Sequence, residues 1–322
     1  MPPVPLQIAI HRNFADELSR ELTVPHRLAV YKDETDAEMA VLLATTDVLV
    51  SGAYRPAWRP ADPTRLRLVH STGAGTDGIA FGALPAGCVV CNVYGHERGV
   101  AEQAFLLMLA LQRGLLALDA NLRRGDWTPQ RPYLPEMRDR SLLILGYGHI
   151  GQELVRWGQF LGMTVRVLTR TPDRVRQAAP EGVAVGPLAE LGLRLHEADF
   201  VVVAIPAAAG TLDLIGAPEF AQMKSTAFLI NVGRGPVVNE QDLYTALKTR
   251  RIAGAGLDVW YQYPVPGQTR MPATCAFQEL DNVIMTPHKP TFETMAYRWK
   301  EIAANIGRIE RGEPPLRIVA AA

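Results

Sequence analysis

One stretch limits what this chain can become more than any other: Ser141-Leu-Leu-Ile-Leu-Gly-Tyr-Gly-His-Ile-Gly151. A short apolar, strand-like run passes directly into Gly-x-Gly-x-x-Gly, and a helical pattern follows with Leu154, Val155, Trp157, Phe160 and Leu161. Glycines at this spacing alone say little; strand, turn and helix in that order point to a dinucleotide site. Gly146 would let the chain turn, Gly148 would remove a Cβ where a pyrophosphate approaches, and Gly151 would let helix and strand pack closely. The helix N-terminus would offer unpaired N–H groups and a partial positive charge to the phosphates.

A chain of 322 residues is too long for one ordinary core and implies two domains. With 48% hydrophobic and 20% charged residues it has the composition of a soluble globular protein. The 33 basic residues balance 33 acidic ones, so neither nucleic acid nor a membrane surface is expected as a partner. The longest apolar runs are strand-length or interrupted, shorter than a spanning helix. Met1-Pro-Pro-Val-Pro5 shows no basic head followed by an apolar core, so no secretory signal is visible and the expected location is cytoplasmic. Cys88-Val-Val-Cys91 has redox-motif spacing but sits in an apolar run, which favours buried, reduced thiols; Cys275 stands alone. The histidines show no metal-ligand spacing, and no metal is expected.

Before the glycine motif, Leu6–His11, Val48–Gly52, Leu66–His70 and Cys88–Val93 read as strands and Asp16–Leu22 as a helix, the βαβ signature of a parallel sheet. Arg55–Pro63 reads as a loop, and Gly125–Arg140 as polar and irregular. From Val100 to about Leu122 runs one long helix, apolar on nearly every face, which must be covered on more than one side. Packing between the two domains or against a second subunit would do this, and a homodimer is expected. After the glycine motif, strands are expected at Thr164–Leu168, Phe200–Ile205, Ala227–Val232, Ala255–Val259 and Val283–Thr286. With the strand before the glycines these make a doubly wound series of six. A helix at Glu240–Lys248 and another at Glu293–Arg311, followed by a short tail, complete the pattern.

Three downstream segments end predicted strands, where a doubly wound fold gathers ligands: Asn231-Val-Gly-Arg-Gly235, Gly256-Leu-Asp-Val259 and Thr286-Pro-His288. Arg234, between two glycines after a buried strand, could clamp a carboxylate with paired hydrogen bonds, with a solvated surface arginine as the less favoured alternative. His288 could exchange the proton of a hydroxyl while a hydride moves, although a lone histidine is more often structural.

Taken together, Gly146–Gly151, Asn231–Gly235, Gly256–Val259 and Thr286–His288 resemble the D-isomer-specific 2-hydroxyacid dehydrogenases; Gly73-Ala-Gly-Thr-Asp77 and Val100-Ala-Glu102 fit the same pattern. The resemblance implies an α/β chain with two doubly wound parallel-sheet domains. A Rossmann nucleotide-binding domain, residues 96–287, would be inserted into a flavodoxin-like substrate domain, residues 1–95 plus 288–322, with closure over a cleft. It implies reduction of small 2-oxo acids to D-2-hydroxy acids. The backbone amides of Ala74 and Gly75 and the side chain of Arg234 would hold the carboxylate, with His288 as the acid/base. Gly146, Gly148, His149, Ile150, Gly151, Thr169, Arg170, Ile205, Pro206, Thr211, Val232, Gly233 and Asp258 would hold the cofactor. Tyr54, Tyr94, His96, Arg98, Trp127 and Lys289 are candidates for the substrate wall, Tyr54 foremost.

Two departures from the pattern matter. Eighteen residues past Gly151, where an acid would bond the NAD ribose, stand Thr169 and then Arg170, with Arg174 nearby. That favours NADP(H) and leaves NAD(H) possible. Five residues past Asp258, where the family places a Glu against its histidine, stands Tyr263. A phenol can orient the ring but adds no charge, so His288 should have a lower pKa than with Glu. Glu279 or Glu293 remains an alternative source of a carboxylate. Oxidation of phosphite or formate, and an NADP(H)-binding regulatory protein with weak turnover, are the competing functions.

Overall fold

The computed structural model describes residues 4–60, 65–127, 135–264, 269–288 and 293–321. The chain forms two compact units, Met1–His96 with Thr291–Ala322, and Glu97–Pro290. In the first unit, short aliphatic runs form β1 (Leu6–His11), β2 (His26–Tyr31), β3 (Val48–Val50), β4 (Leu68–His70) and β5 (Val89–Cys91). All five are parallel, in the order β5-β4-β3-β1-β2. Parallel neighbours need crossovers, here supplied in part by α1 (Ala15–Glu21) and α2 (Asp36–Ala44). A reciprocal cap starts α2: Thr35 Oγ1 accepts the Glu38 N–H while the Glu38 carboxylate accepts the Thr35 N–H. β2 is not among the strands expected from sequence; it is an edge strand that buries only Tyr31, so its apolar signal is weak. Cys88 and Cys91 are free and wholly buried, and burial pushes both thiols up to about 12, which leaves them inert.

The second unit opens with α3 (Glu97–Gln112) and α4 (Leu115–Arg123). They correct the single helix expected over 100–122: Gly114 takes a left-handed φ of 57°, and the two helices bend by 58°. Ala101, Ala104, Phe105, Leu107 and Met108 of α3 pack into the core, Phe105 stacking on Trp157 at 5.7 Å. Leu106, Leu109, Leu115, Leu116 and Leu122 are exposed in the single chain. Among the described residues, no single helix is long and apolar enough to cross a membrane.

Beyond them lie β6 (Ser141–Leu145), α5 (His149–Phe160), β7 (Thr164–Thr169), β8 (Ala184–Pro187), β9 (Phe200–Val203), β10 (Phe228–Asn231), α6 (Glu240–Lys248), β11 (Gly254–Leu257) and β12 (Val283–Met285). The sheet is wholly parallel, in the order β8-β7-β6-β9-β10-β11-β12. This is a doubly wound Rossmann sheet of seven strands rather than the expected six. The added strand, β8, carries a glycine and a proline and lies at the edge, so it lacks a strand signature. The order reverses between β6 and β9, which places the topological switch point at their carboxyl ends.

After the second unit, α7 (Glu293–Glu310) joins the first unit's core through Trp299, Ile302 and Ile306. The expected tail is in fact a strand, β13 (Ile318–Ala321), antiparallel to β5. A buried polar link fastens this return. His70 Nδ1 lies 2.9 Å from the Ser71 carbonyl, Asn305 Nδ2 lies 3.0 Å from His70 Nε2, and Asn305 also exchanges hydrogen bonds with the Leu316 backbone. A carbonyl can only accept and an amide NH2 only donate, so these partners require a neutral imidazole.

Burial accordingly lowers the His70 pKa to about 4. A folded pKa below the unfolded one leaves stability intact above about pH 6.5 and removes it as pH falls toward 4. Urea unfolding should show about 3 kcal/mol of stability lost over that window, and His70→Gln should flatten the dependence.

Candidate active site

The glycine turn sits at the switch point. Gly146 has φ +104°, and a Cβ there would lie 2.7 Å from the Ala204 carbonyl and from Ile205, so only glycine fits. A Cβ on Gly151 would collide with the Gly146 carbonyl, which brings helix α5 down onto the turn. Gly148, the residue preceding α5, differs: nothing lies within 4 Å of where its Cβ would be. That opening, at the first N–H groups of a twelve-residue helix, fits a dinucleotide pyrophosphate. His149 and Ile150 open the helix, and the His149 ring lies 3.6 Å from the Glu97 carboxylate.

Opposite the turn, the loop after β9 carries Ile205 and Pro206. The Thr211 hydroxyl donates to the Pro206 carbonyl at 2.7 Å and accepts the Ala208 N–H, so Thr211 shapes this loop from a buried position. At the end of β7, buried Thr169 is followed by exposed Arg170 and, further on, Arg174.

Asn231, buried at the end of β10, staples the next loop: its side chain donates to the Arg234 carbonyl at 3.0 Å and accepts the Gly233 N–H. A Cβ on Gly233 would lie 2.6 Å from the Ile205 carbonyl, so this loop packs backbone to backbone against the one after β9. Val232 is buried, while half-buried Arg234 donates to the Gly233 carbonyl at 2.8 Å.

After β11, buried Asp258 accepts the Thr286 hydroxyl at 2.5 Å, and Thr286 accepts from Gln103 of α3 at 3.2 Å. His288 lies exposed just past β12, and the Tyr263 hydroxyl stands 2.9 Å from its Nδ1. Crowding by surrounding protein pushes the His288 pKa below the usual imidazole value; Asp258 opposes that shift and Arg234 adds to it. Arg234, Asp258 and Tyr263 thus all act on His288 at the carboxyl edge of the sheet. Glu279 is exposed, and the side chain of Glu293 and all of Lys289 lie outside the described residues. Gln103 was not singled out from sequence, and Asn231 and Thr286 entered only as the first residues of their motifs, with no role of their own; their hydrogen bonds supply one.

In the first unit, the Asn92 amide donates to the Ala74 carbonyl at 2.9 Å and Ser71 Oγ donates to the Gly75 carbonyl at 2.8 Å. With both carbonyls engaged, the peptide planes around Ala74 and Gly75 are fixed. Tyr54 is wholly buried, edge-on to Trp58, and therefore a core residue rather than part of a solvent-facing wall. The Arg317 guanidinium covers the half-buried Tyr94 ring, His96 is half-buried, Arg98 pairs with Glu102, and Trp127 is exposed. Among the described residues, no group of three or more His, Cys, Asp or Glu could hold a metal ion.

The family model for the D-isomer specific 2-hydroxyacid dehydrogenase, NAD binding domain, matches residues 105–289. The chain belongs to that family. It is 31% identical over 319 residues to a glyoxylate reductase of Korarchaeum cryptofilum, covering 96% of this chain and 91% of that one. A glyoxylate reductase of Pyrococcus furiosus is 34% identical over 267 residues, covering 79% of this dehydrogenase and 76% of the relative. The crystal structure of an NADPH-dependent glyoxylate/hydroxypyruvate reductase of Sinorhizobium meliloti, with NADP and malonate, superposes with a TM-score of 0.82. It is 26% identical and covers 98% of this chain and 97% of its own. The dehydrogenase is an NAD(P)-dependent oxidoreductase.

The glycines of its turn can be separated by experiment. Gly148→Ala should leave the melting temperature near the parent value, because its Cβ enters open space, yet weaken cofactor binding at least ~10-fold in a fluorescence titration. Gly146→Ala should instead lower the melting temperature, because its strained Cβ meets backbone.

Proposed function

We propose that this dehydrogenase reduces small 2-oxo acids to D-2-hydroxy acids, with NADP(H) preferred over NAD(H). The observation that carries the reading is the Tyr263–His288 hydrogen bond beside Arg234, at the same edge of the sheet as the glycine turn. The reductase relatives support the substrate class. When bound, the reduced nicotinamide supplies the hydride. Arg234 grips the carboxylate and so orients the 2-oxo group. His288 gives a proton from Nε2 to the oxo oxygen as it becomes a hydroxyl, while Nδ1 is held by Tyr263. Asp258, aligned by Thr286, orients the nicotinamide amide.

Preference for NADP(H) follows from the end of β7. A carboxylate there would repel a 2′-phosphate, whereas Thr169 can bond it and Arg170 and Arg174, both solvent-facing, can pair with it. The exposed leucines of α3 and α4 form an apolar face of the kind that subunits cover, and we place a homodimer contact there.

Oxidation of NADPH and NADH should be followed with glyoxylate, hydroxypyruvate and arylpyruvates, and reduction of the oxidised cofactors with phosphite and formate, with sedimentation velocity on the same preparation. Faster turnover with NADPH and a two-chain mass are expected. Turnover of phosphite or formate instead, or a lower KM for NADH, would displace the reading.

The histidine's partner sets a pH dependence. A carboxylate only accepts a hydrogen bond and favours imidazolium; a phenol hydroxyl accepts from Nδ1–H or donates to bare Nδ1 and adds no charge. Reduction needs imidazolium, so a lowered pKa makes the rate fall at a lower pH as pH rises. Tyr263→Glu should move that fall to higher pH by ~1 unit or more. A profile matching the parent's would remove Tyr263 from the mechanism.

A further inference from the structure

Trp260, itself buried, touches the Tyr263 hydroxyl and the segments that carry Arg234 and His288, three of the side chains on which the proposed reaction depends. Its backbone N–H donates to the Tyr263 hydroxyl at 3.4 Å. Its indole Nε1–H donates to the Thr286 carbonyl at 2.8 Å, two residues before His288. Its own carbonyl presses on Gly235, where a Cβ would collide with it, immediately after Arg234. One residue thus contacts the phenol, the strand end that carries the imidazole and the loop that carries the guanidinium.

The backbone geometry shows why such a brace is needed. His288 has φ +49°, a left-handed conformation that a side chain with a Cβ adopts only where its surroundings impose it. Pro287 has no N–H with which to anchor the segment. The fixing contacts therefore fall on Thr286, whose N–H donates to the Leu257 carbonyl and whose carbonyl accepts the indole. Meanwhile the Trp260 N–H occupies one lone pair of the Tyr263 oxygen, which limits how that hydroxyl can turn toward Nδ1.

We propose that Trp260 is a positioning residue that sets the Tyr263–His288 hydrogen bond, holding the phenol through its backbone and the histidine segment through its indole. The geometric claim stands on these contacts; only its consequence for turnover rests on the function proposed above.

The test reads His288 directly. In protein labelled with 15N-histidine, the His288 signals are assigned by their loss in His288→Gln and titrated in parent, Tyr263→Phe, Trp260→Phe and the double variant. Trp260→Phe keeps an aromatic ring and removes the N–H. It should move the Nδ1 shift and the titration midpoint in the same direction as Tyr263→Phe, and the double variant should match Tyr263→Phe alone. Gly235→Ala, which pushes on the Trp260 carbonyl with the indole intact, provides a second perturbation should Trp260→Phe fold poorly, and should shift the same signals. Parent-like signals from the other histidines report an intact fold. With a 2-oxo acid, Trp260→Phe should lower kcat ~10-fold, the order expected for one lost buried hydrogen bond, with KM for NADPH unchanged within about twofold. A His288 titration that matches the parent's in both Trp260→Phe and Gly235→Ala, or effects that multiply in the double variant, would overturn the proposal. Absence of turnover in the parent would instead remove the proposed reaction and leave the titration to decide on Trp260.

Discussion

Uniform strand direction in the seven-stranded sheet is the constraint from which the site follows. Because every strand of that sheet runs the same way, every carboxyl end lies on one edge. Loops distant in sequence are delivered there side by side: the glycine turn after β6, the Arg234 loop after β10, Asp258 after β11 and His288 after β12. Backbone must then meet backbone at short range. That is why Gly146, Gly233 and Gly235 stand where a Cβ would strike Ala204, Ile205 and Trp260 respectively. The glycines thus permit the crowding that places charged and titratable groups within reach of one another.

Within that edge, the Tyr263–His288 pair is held by geometry more than by charge. A buried carboxylate beside an imidazole would hold it protonated, whereas Tyr263 offers a hydrogen bond that suits either protonation state. Asp258 is the acid that acts on His288, and its effect is opposed by crowding and by Arg234. The balance leaves His288 easily deprotonated. Positional control therefore matters more here than where an ion pair would draw the ring into place.

What the sequence disclosed follows the same physics. Strands such as β6, β9 and β10 are buried on both faces and stand out as apolar runs between turns. Edge strands do not: β2 buries one residue, and β8 is Ala-Val-Gly-Pro. The break at Gly114 was hidden because apolar periodicity continues on both sides of it. At the site, Arg234, Asp258 and His288 lie in short motifs at strand ends and can be picked out by eye. Gln103, whose amide reaches Thr286 across 183 residues of chain, belongs to no local pattern. Nor could any pattern show that the indole of Trp260 would find a carbonyl. Such contacts are products of the folded sheet, and only its register reveals them.

The way the first unit is completed bears on how the chain folds during synthesis. Its β5 edge stays open, and its His70 imidazole lacks the Asn305 amide 235 residues downstream, until the whole second unit has been made. The second unit is continuous in sequence and can close on itself first. Until α7 and β13 arrive, the earlier strands present an unpaired backbone edge and an uncovered apolar face, the features that recruit chaperones and promote aggregation.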